Sequence, residues 1–438
     1  MTSSHALSLK KKLASLDARV AIIGLGYVGL PLAYSFAEAG FSVVGIDLDK
    51  EKIRSIQSGK SYIPDLPSPK LASLVKKHKL TAHTDFKVLQ SCDVTIVCVP
   101  TPLNRAKDPD ISYIVSAAGH IQNHLHPGQL IILESTTYPG TTDEVILPQL
   151  EKSKLKVGKD FFLCFSPERI DPGNTSFHTR NIPKVVGGVT ETCTELGSLL
   201  YSQITPSVHR VSSCRTAEMA KLLENTFRIV NIGMINELAR AASALKVNIW
   251  EVIEAAKTKP FGFMPFYPGP GIGGHCIGVD PIYLSWKAKL LGVNLNFIDL
   301  AQKLNSEMPR YVVEQAVFAL NKHAGKAISK SKVMILGVSY KKDVPDIRES
   351  PALDIIHELK QLGAQVSYHD PLVPQINHNG FKLQSKPLNE TTLKAQDLIL
   401  LTTNHRQVDY KKVVKYAHLI YDTRNALDQF KSPNIVRL

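Results

Sequence analysis

The chain has 438 residues, 44% of them hydrophobic and 21% charged, a globular composition with length for two or three cores, so disorder and fibrous repeats are excluded. Its formal net charge is +13, but the basic residues are scattered, and the densest clusters, at 10–12 and 76–79, lack interleaved aromatics. That argues against nucleic-acid binding and suits a field that attracts anionic small molecules such as nucleotides.

No apolar run approaches the ~18 residues of a membrane span, and the first residues lack the apolar core of a signal peptide, so a cytoplasmic protein without membrane attachment is expected. The six cysteines form no CxxC pair and no zinc-type spacing with histidine, which suggests neither a disulfide framework nor a structural metal.

In chain order, a short apolar run at 19–24 predicts a strand ending at glycine. A helix is expected over 30–39 and a second strand over 42–46, stopping at Asp47; together they make one β-α-β unit. Further strands are expected at 93–99, 129–134 and 161–165. Their alternation with helical stretches predicts a parallel, doubly wound sheet.

From 216 to 245 the apolar residues recur at helical spacing without proline, predicting one long central helix, with helical character resuming over 283–303. Between these, KPFGFMPFYPGPGIGGHCIGVDP (259–281) is too dense in proline and glycine for regular structure and reads as a structured loop. A strand at 332–337, a helix at 351–362 and strands at 365–368, 397–402 and 418–421 repeat the grammar of the first region without its third glycine. The expected class is α/β: two Rossmann-like doubly wound parallel-sheet domains joined by a long central helix.

GLGYVG places Gly24, Gly26 and Gly29 in a G-x-G-x-x-G pattern. The first glycine serves a tight turn, the second lets a pyrophosphate approach the backbone, and the third allows close helix–strand packing. Asp47, about twenty residues on at a strand end, is where a carboxylate accepts from a ribose 2′-OH, which favours NAD over NADP; Lys52 is near enough to touch the adenosine end. Turn glycines and a capping aspartate are the plain alternative.

VPTPL (99–103) and ESTTYPGT (134–141) follow predicted strands, where ligands sit in open α/β sheets, and suit a nicotinamide wall. AEMAKLLENTF puts Glu218, Lys221, Asn225 and Arg228 on one helix face. An ammonium and a carboxamide one turn apart can hold a developing oxyanion, although such a stripe is also what a solvated face looks like.

In GPGIGGHCIGVDP, glycines precede Cys276, and Asp280 lies four residues beyond it. A thiol there could attack an aldehyde while Asp280 acts on a proton or water; a buried structural thiol is the competing reading. His275 is read as shape or hydrogen bonding, since adjacent side chains diverge, and the other five cysteines as core or incidental.

Taken in order, GLGYVGLPLA, VPTPL, STTYPGT, FSPERI, AEMAKLLEN, GPGIGGHCIGVDP and GVSYKKDVPDIRESPA resemble the UDP-glucose/GDP-mannose dehydrogenase family over about 20–425. More narrowly, PFGFMPFYPGPG with GGHCI looks like the UDP-N-acetylhexosamine 6-dehydrogenases, above all those for UDP-N-acetylglucosamine, where typical UDP-glucose enzymes carry GGSCF; Ile277 in place of Phe leaves room for an acetamido group.

The resemblance implies an NAD-binding Rossmann domain over 1–210, a central helical dimerisation and catalytic-loop region over 211–325, and a UDP-sugar domain over 326–438. It also implies a homodimer or higher homo-oligomer, a role in polysaccharide biosynthesis, and a four-electron oxidation of a C6 alcohol to a carboxylate with two NAD per product. Carried over by motif, Cys276 captures the aldehyde as a thiohemiacetal that becomes a thioester. Lys221 and Asn225 serve O6, Asp280 positions a proton or water, and Glu168 assists through a water.

The implied NAD contacts are Gly24, Gly26, Tyr27, Val28, Gly29, Asp47, Lys52, Thr101, Thr136 and Arg348. The implied UDP-sugar contacts are 168–172 with Glu168 and Arg169, then Lys221, Asn225, 266–272 with Phe266, Tyr267 and Gly271, Lys341 and Arg424. UDP-glucose enzymes usually offer an arginine from the neighbouring subunit before the glycine loop; here Lys257 and Lys259 stand in that stretch.

Overall fold

The computed structural model describes residues 3–63, 66–104, 106–171, 181–378 and 380–438, with His275 and Cys276 described by their backbone alone. The chain divides into two compact units, Met1–Glu224 with Ile282–Gly292, and Asn225–Pro281 with Val293–Leu438.

The first unit is built on β1 (Arg19–Ile23), β2 (Ser42–Ile46), β3 (Leu80–His83), β4 (Val94–Val97), β5 (Leu130–Leu133), β6 (Phe162–Phe165), β7 (Lys184–Gly188) and β8 (Val208–Val211). Their order in the sheet is β3-β2-β1-β4-β5-β6-β7-β8. Every residue of β4, β5 and β6 is buried, as expected of parallel strands covered on both faces, which read as unbroken apolar runs. Burying each Val, Ile or Leu side chain there contributes roughly 1.5–3 kcal/mol.

The order reverses beside β1, between β2 and β4, and that switch point opens a crevice at the carboxyl ends of the strands. One pairing departs from the all-parallel expectation: β6 and β7 run antiparallel, with Cys164 opposite Gly188 and Phe165 opposite Gly187.

The second unit carries β9 (Lys332–Leu336), β10 (Gln365–His369), the hairpin strands β11 (Gln375–His378) and β12 (Phe381–Gln384), and then β13 (Leu398–Leu401), β14 (Ile420–Asp422) and β15 (Ile435–Arg437). The parallel sheet has the order β10-β9-β13-β14-β15. The turn after β9 repeats that after β1. Gly337 (φ 86°) donates its N–H to His369 O as Gly24 (φ 92°) does to Ile46 O, and the next N–H in each turn goes to an aspartate.

In the second copy the carboxylate is used up internally. Asp370 is buried, accepts from the N–H groups of Val338, Ser339, Leu372 and Val373, and meets His405 Nε2 at 3.1 Å. Despite its burial, the bonds and charge from His405 and the backbone donors pull its carboxyl down to about 2.

The central helix is longer than the sequence predicts, Cys214–Leu245, and the boundary between the two units falls within it. Where a single helical resumption over 283–303 is expected, two helices form, His275–Leu290 and Asn296–Ala324, broken around Gly292 (φ 77°). The former begins inside the supposed loop and tolerates Pro281, so positions 276 and 280 lie in its first turns. Among the described residues, no helix is long and apolar enough to cross a membrane, and no group of three or more potential metal ligands gathers.

Candidate active site

The turn after β1 has the form a dinucleotide requires. Gly24 sits at φ 92°, and a Cβ there would lie 2.4 Å from Cys98 O; one on Gly29 would lie 1.8 Å from Gly24 O. Both glycines are therefore fixed by backbone packing. A Cβ on Gly26 would meet nothing within 4 Å, so the chain keeps an open approach to its backbone there.

Helix Gly29–Ala39 begins without a side-chain cap on its free N–H groups, a ready site for phosphate. Tyr27 is 46% exposed on this turn, and Val28 is the residue before the helix.

Asp47, just past β2, accepts from Leu25 N at 2.9 Å and Lys52 Nζ at 3.2 Å through Oδ2, and from Asp49 N at 2.9 Å through Oδ1. The carboxylate is thus aimed along the turn, and Lys52 is beside it as expected. Tyr62, which the sequence does not single out, donates its hydroxyl to Leu25 O at 2.6 Å; burial, followed by the charges of Asp47 and Asp49, pushes its pKa up. These residues fit an NAD adenosine and pyrophosphate.

Thr101 is buried and Thr136 half-buried. Ser135 Oγ donates to Val99 O at 2.8 Å, tying together the loops after β4 and β5. The segment Ile282–Gly292 packs onto the same loops: the Tyr283 hydroxyl donates to Pro102 O at 3.1 Å, and the Trp286 ring lies 5.1 Å from that of Tyr138, tilted by 41°.

Glu218 has a different place from the one its spacing suggests. It is buried and caps the turn after Pro139, accepting from Gly140 N at 2.6 Å and from Thr142 N and Oγ1 at 3.0 and 2.7 Å. Burial raises its pKa against those bonds. Lys221 and Asn225, one turn apart on the same helix, are also buried, whereas Arg228 is exposed. The predicted face therefore keeps its middle pair and loses both ends, one to capping and one to solvent.

Glu168, beyond β6, is held from three sides. Its Oε1 accepts from Arg169 N at 2.7 Å and Ile170 N at 2.8 Å, and its Oε2 from Lys184 Nζ at 3.0 Å. Lys184, the first residue of β7, also bonds Glu134 Oε1 at the end of β5, and Cys98 Sγ lies 3.5 Å from Glu134 Oε2.

Burial opposes charge on Glu168, but the Lys184 ammonium and the backbone N–H groups prevail and hold its carboxyl below the usual range. Glu134 is pushed up by burial more than Lys184 pulls it down. Arg169 pairs with Glu224 at 2.7 Å. Glu134 is legible in sequence as a carboxylate ending an apolar strand; Lys184 is not, because a lysine opening the run KVVGG looks like a solvated strand end.

In the second unit, Asn225 Nδ2 donates to Asp280 Oδ2, both groups being buried. Position 276 is the second residue of helix His275–Leu290; the side chain expected there lies outside the described residues, as does Pro172.

The glycine loop is fitted against neighbours that leave no room for side chains. A Cβ on Gly269 would be 2.5 Å from Arg424 Nη1, and Cβ atoms on Gly273 and Gly274 would strike Tyr340 at 2.6 and 2.8 Å. Gly271 takes φ 126° beside Pro351. Gly269 N donates to Asn236 Oδ1, and Asn236 Nδ2 to Asn305 Oδ1, a buried relay that anchors the loop to two helices.

Arg424 Nε donates to Thr402 O at 2.8 Å; burial draws its pKa to about 10, leaving it charged at neutral pH. Phe266 is half-buried and packs edge-on 5.7 Å from Phe227. Tyr267 is 41% exposed and donates to Glu254 Oε1 at 2.7 Å. Lys257 also pairs with Glu254, at 3.2 Å, while Lys259 Nζ stands 5.0 Å over the Phe261 ring. Lys341 is half-buried. Arg348 is exposed in this second unit, with its guanidinium forked onto Asp346 at 2.7–3.1 Å, whereas the other expected NAD contacts belong to the first.

Comparison with known proteins matches three stretches to the UDP-glucose/GDP-mannose dehydrogenase family: its NAD binding domain over 18–205, its central domain over 215–307 and its UDP binding domain over 334–429. A Pseudomonas aeruginosa protein described as UDP-N-acetyl-D-glucosamine 6-dehydrogenase is 38% identical over 424 residues, 95% of this chain and 99% of that one.

Among solved structures, a UDP-D-ManNAc dehydrogenase from Pyrococcus horikoshii superposes with a TM-score of 0.85 at 33% identity, covering 96% of this chain and 98% of the other. The UDP-N-acetyl-mannosamine dehydrogenase Cap5O from Staphylococcus aureus does so at 0.82 and 32%, covering 96% and 97%.

Proposed function

Because the chain belongs to the UDP-glucose/GDP-mannose dehydrogenase family, and so to the NAD-dependent nucleotide-sugar dehydrogenases, we propose that it oxidises the C6 hydroxyl of UDP-N-acetylglucosamine to the uronate. The observation that carries the N-acetyl assignment is the 38% identity, over nearly the full length of both chains, to a protein described as acting on that sugar.

Bound NAD would supply the hydride acceptor for the two oxidations, and Gly24, Gly26, Tyr27, Val28, Gly29, Asp47, Lys52, Thr101, Thr136 and Arg348 would hold it. Lys221 and Asn225 stabilise the oxyanion at O6, and Asn225 is oriented for this by its bond to Asp280. The Cys276 thiolate adds to the aldehyde carbon to give a thiohemiacetal, loss of hydride gives a thioester, and water releases the carboxylate and restores the thiol. Glu168 accepts a proton through a water, and Asp280 positions a proton or water.

Arg169, Phe266, Tyr267, Gly271, Lys341 and Arg424 hold the UDP-sugar, with Arg424 and Lys341 matched to its diphosphate charge. We assign 1–210 to the NAD domain, 211–325 to the dimerisation and catalytic-loop region and 326–438 to the UDP-sugar domain, in a cytoplasmic enzyme supplying uronate for polysaccharide.

Helix Cys214–Leu245 leaves Met219, Leu223, Phe227, Met234, Leu238 and Leu245 exposed. Their spacings of four and seven put them on one face, which supports a second copy as partner. Light scattering of the purified chain is expected to give twice the monomer mass, and a monomer at micromolar concentration would remove that assignment.

A second reading, UDP-N-acetylmannosamine as substrate, is favoured by the names of the two structural relatives above; the two sugars differ only at C2. The deciding experiment supplies NAD with each of UDP-N-acetylglucosamine, UDP-N-acetylmannosamine, UDP-N-acetylgalactosamine and UDP-glucose and counts NADH per sugar consumed. Two NADH per UDP-N-acetylglucosamine is the expected result. Turnover confined to the manno epimer selects the second reading, and turnover confined to UDP-glucose rejects the N-acetyl assignment.

A further inference from the structure

Within the first unit, three charged side chains meet at the carboxyl edge of the sheet with almost no solvent. The side chain of Lys184 is 4% exposed, Glu134 0% and Glu168 11%. Burying ions costs several kcal/mol each unless they are paired and their remaining hydrogen bonds are made, so a lysine placed here invites an account.

The cluster adjoins the dinucleotide turn, because Cys98, which faces Glu134, is also the residue whose carbonyl fixes Gly24. Glu168 spends Oε1 on two backbone N–H groups and one site of Oε2 on Lys184. A carboxylate offers about four acceptor sites. Among the described residues, that leaves one direction on Oε2 for a water or a hydroxyl.

We propose that Lys184 is a positioning residue for the dehydrogenase reaction: backed by Glu134, its ammonium keeps Glu168 ionised and turned so that the remaining Oε2 acceptor site serves the reacting water. The inference rests on the role given to Glu168 above and adds Lys184 and Glu134 to it. Among the described residues, the charged and titratable groups facing Glu168 are Lys184, Glu134, Cys98 and Tyr201, whose ring lies 5.0 Å from the lysine Nζ. Only Lys184 among them is positive. Without it, burial and the nearby Glu134 charge both disfavour the Glu168 carboxylate.

The sign follows from that environment. A carboxyl held below its usual pKa stays ionised as pH falls through the neutral range, and removing Lys184 raises the pH at which it takes up a proton. In Lys184→Met the acidic limb of kcat therefore moves upward, and once it has passed pH 6 each further pKa unit lowers the ratio of kcat at pH 6 to that at pH 8 by up to about tenfold. Lys184→Arg keeps the charge and should keep that ratio within about twofold of wild type. The double variant Lys184→Met/Glu134→Gln removes both outer ions, which protects folding, and should return much of the limb toward its original position.

The experiment measures kcat and KM against pH for these variants and for Glu168→Gln, using whichever UDP-N-acetylhexosamine the wild type turns over. Alongside, infrared spectra of the ligand-free proteins at pH 7 follow the protonated-carboxyl stretch, expected to grow in Lys184→Met and to recede in the double variant. A kcat lowered by one factor at every pH, with no growth of that band, would overturn the proposal in favour of a structural lysine. Wild-type turnover in Glu168→Gln would instead remove the role of Glu168, whatever the infrared band shows.

Discussion

Replacing Cys276 by serine is expected to stop conversion of the UDP-sugar to its uronate, with kcat for acid formation falling by about 10³-fold or more, as removal of a covalent nucleophile typically does. NAD binding and thermal stability should stay near wild type. The first oxidation needs no thiol, so slow release of at most one NADH per sugar is expected, with an aldehyde that a carbonyl reagent can trap.

In the proposed mechanism the second oxidation does need it. A free aldehyde has no tetrahedral alkoxide from which hydride leaves, and a serine hydroxyl at neutral pH is a far weaker nucleophile than a thiolate. Two NADH per sugar at an undiminished rate in Cys276→Ser would remove covalent capture and leave oxidation of the hydrated aldehyde as the second step, whereas one NADH per sugar in wild type and variant alike would leave a one-step hydroxyacid-type dehydrogenase as the better account.

Helix His275–Leu290 marks where sequence pattern stops being informative. GIGGHCIGVDP contains four glycines and a proline, and propensity alone dissolves it into a loop. The structure starts a helix at His275 because Gly273 and Gly274 are spent on close approach to Tyr340 rather than on flexibility, and because Pro281, in its second turn, forfeits only one backbone hydrogen bond.

The strands β1, β2, β4, β5 and β6 are legible for the opposite reason. Buried on both faces, they show uninterrupted apolar runs. β7 escapes notice because its first residue is a buried lysine, and the partner that makes such burial tolerable, Glu134, lies 50 residues away.

At the site, spacing along the helix puts Lys221 and Asn225 one turn apart, where both are buried, but cannot tell that Glu218 caps Gly140 and Thr142, a contact 78 residues distant that consumes its carboxylate. The first dinucleotide turn and its copy after β9 are equally close in backbone form. What separates them is a histidine far along the chain that closes over Asp370, and no local motif carries that.

That comparison makes the glycines of the first turn the sharpest test of what the turn is for. Gly26→Ala and Gly29→Ala are both expected to weaken NAD binding and lower turnover at limiting NAD, yet to differ in stability. At Gly29 the added Cβ would lie 1.8 Å from Gly24 O and 3.2 Å from Cys98 Cβ, so helix Gly29–Ala39 must pull away from the turn. Overpacking of that kind costs about 1–3 kcal/mol, and the melting temperature should drop by several degrees with no ligand present.

At Gly26 the same methyl meets no protein atom within 4 Å, and the backbone does not take a positive φ, so the ligand-free melting temperature should change by less than about 1 °C. The methyl instead fills the approach that a pyrophosphate needs, and NAD affinity should fall by at least about tenfold, a loss of about 1.4 kcal/mol. Wild type gains about 2.7 kcal/mol of stability at NAD one hundredfold above Kd, and in Gly26→Ala about half or more of the corresponding upward shift in melting temperature should vanish at the same NAD concentration. A Gly26→Ala protein that melts normally and still responds to NAD as wild type does would mean that the open space above Gly26 is not where the cofactor lies, and the dinucleotide assignment of Gly24, Gly26, Gly29 and Asp47 would have to be given up together.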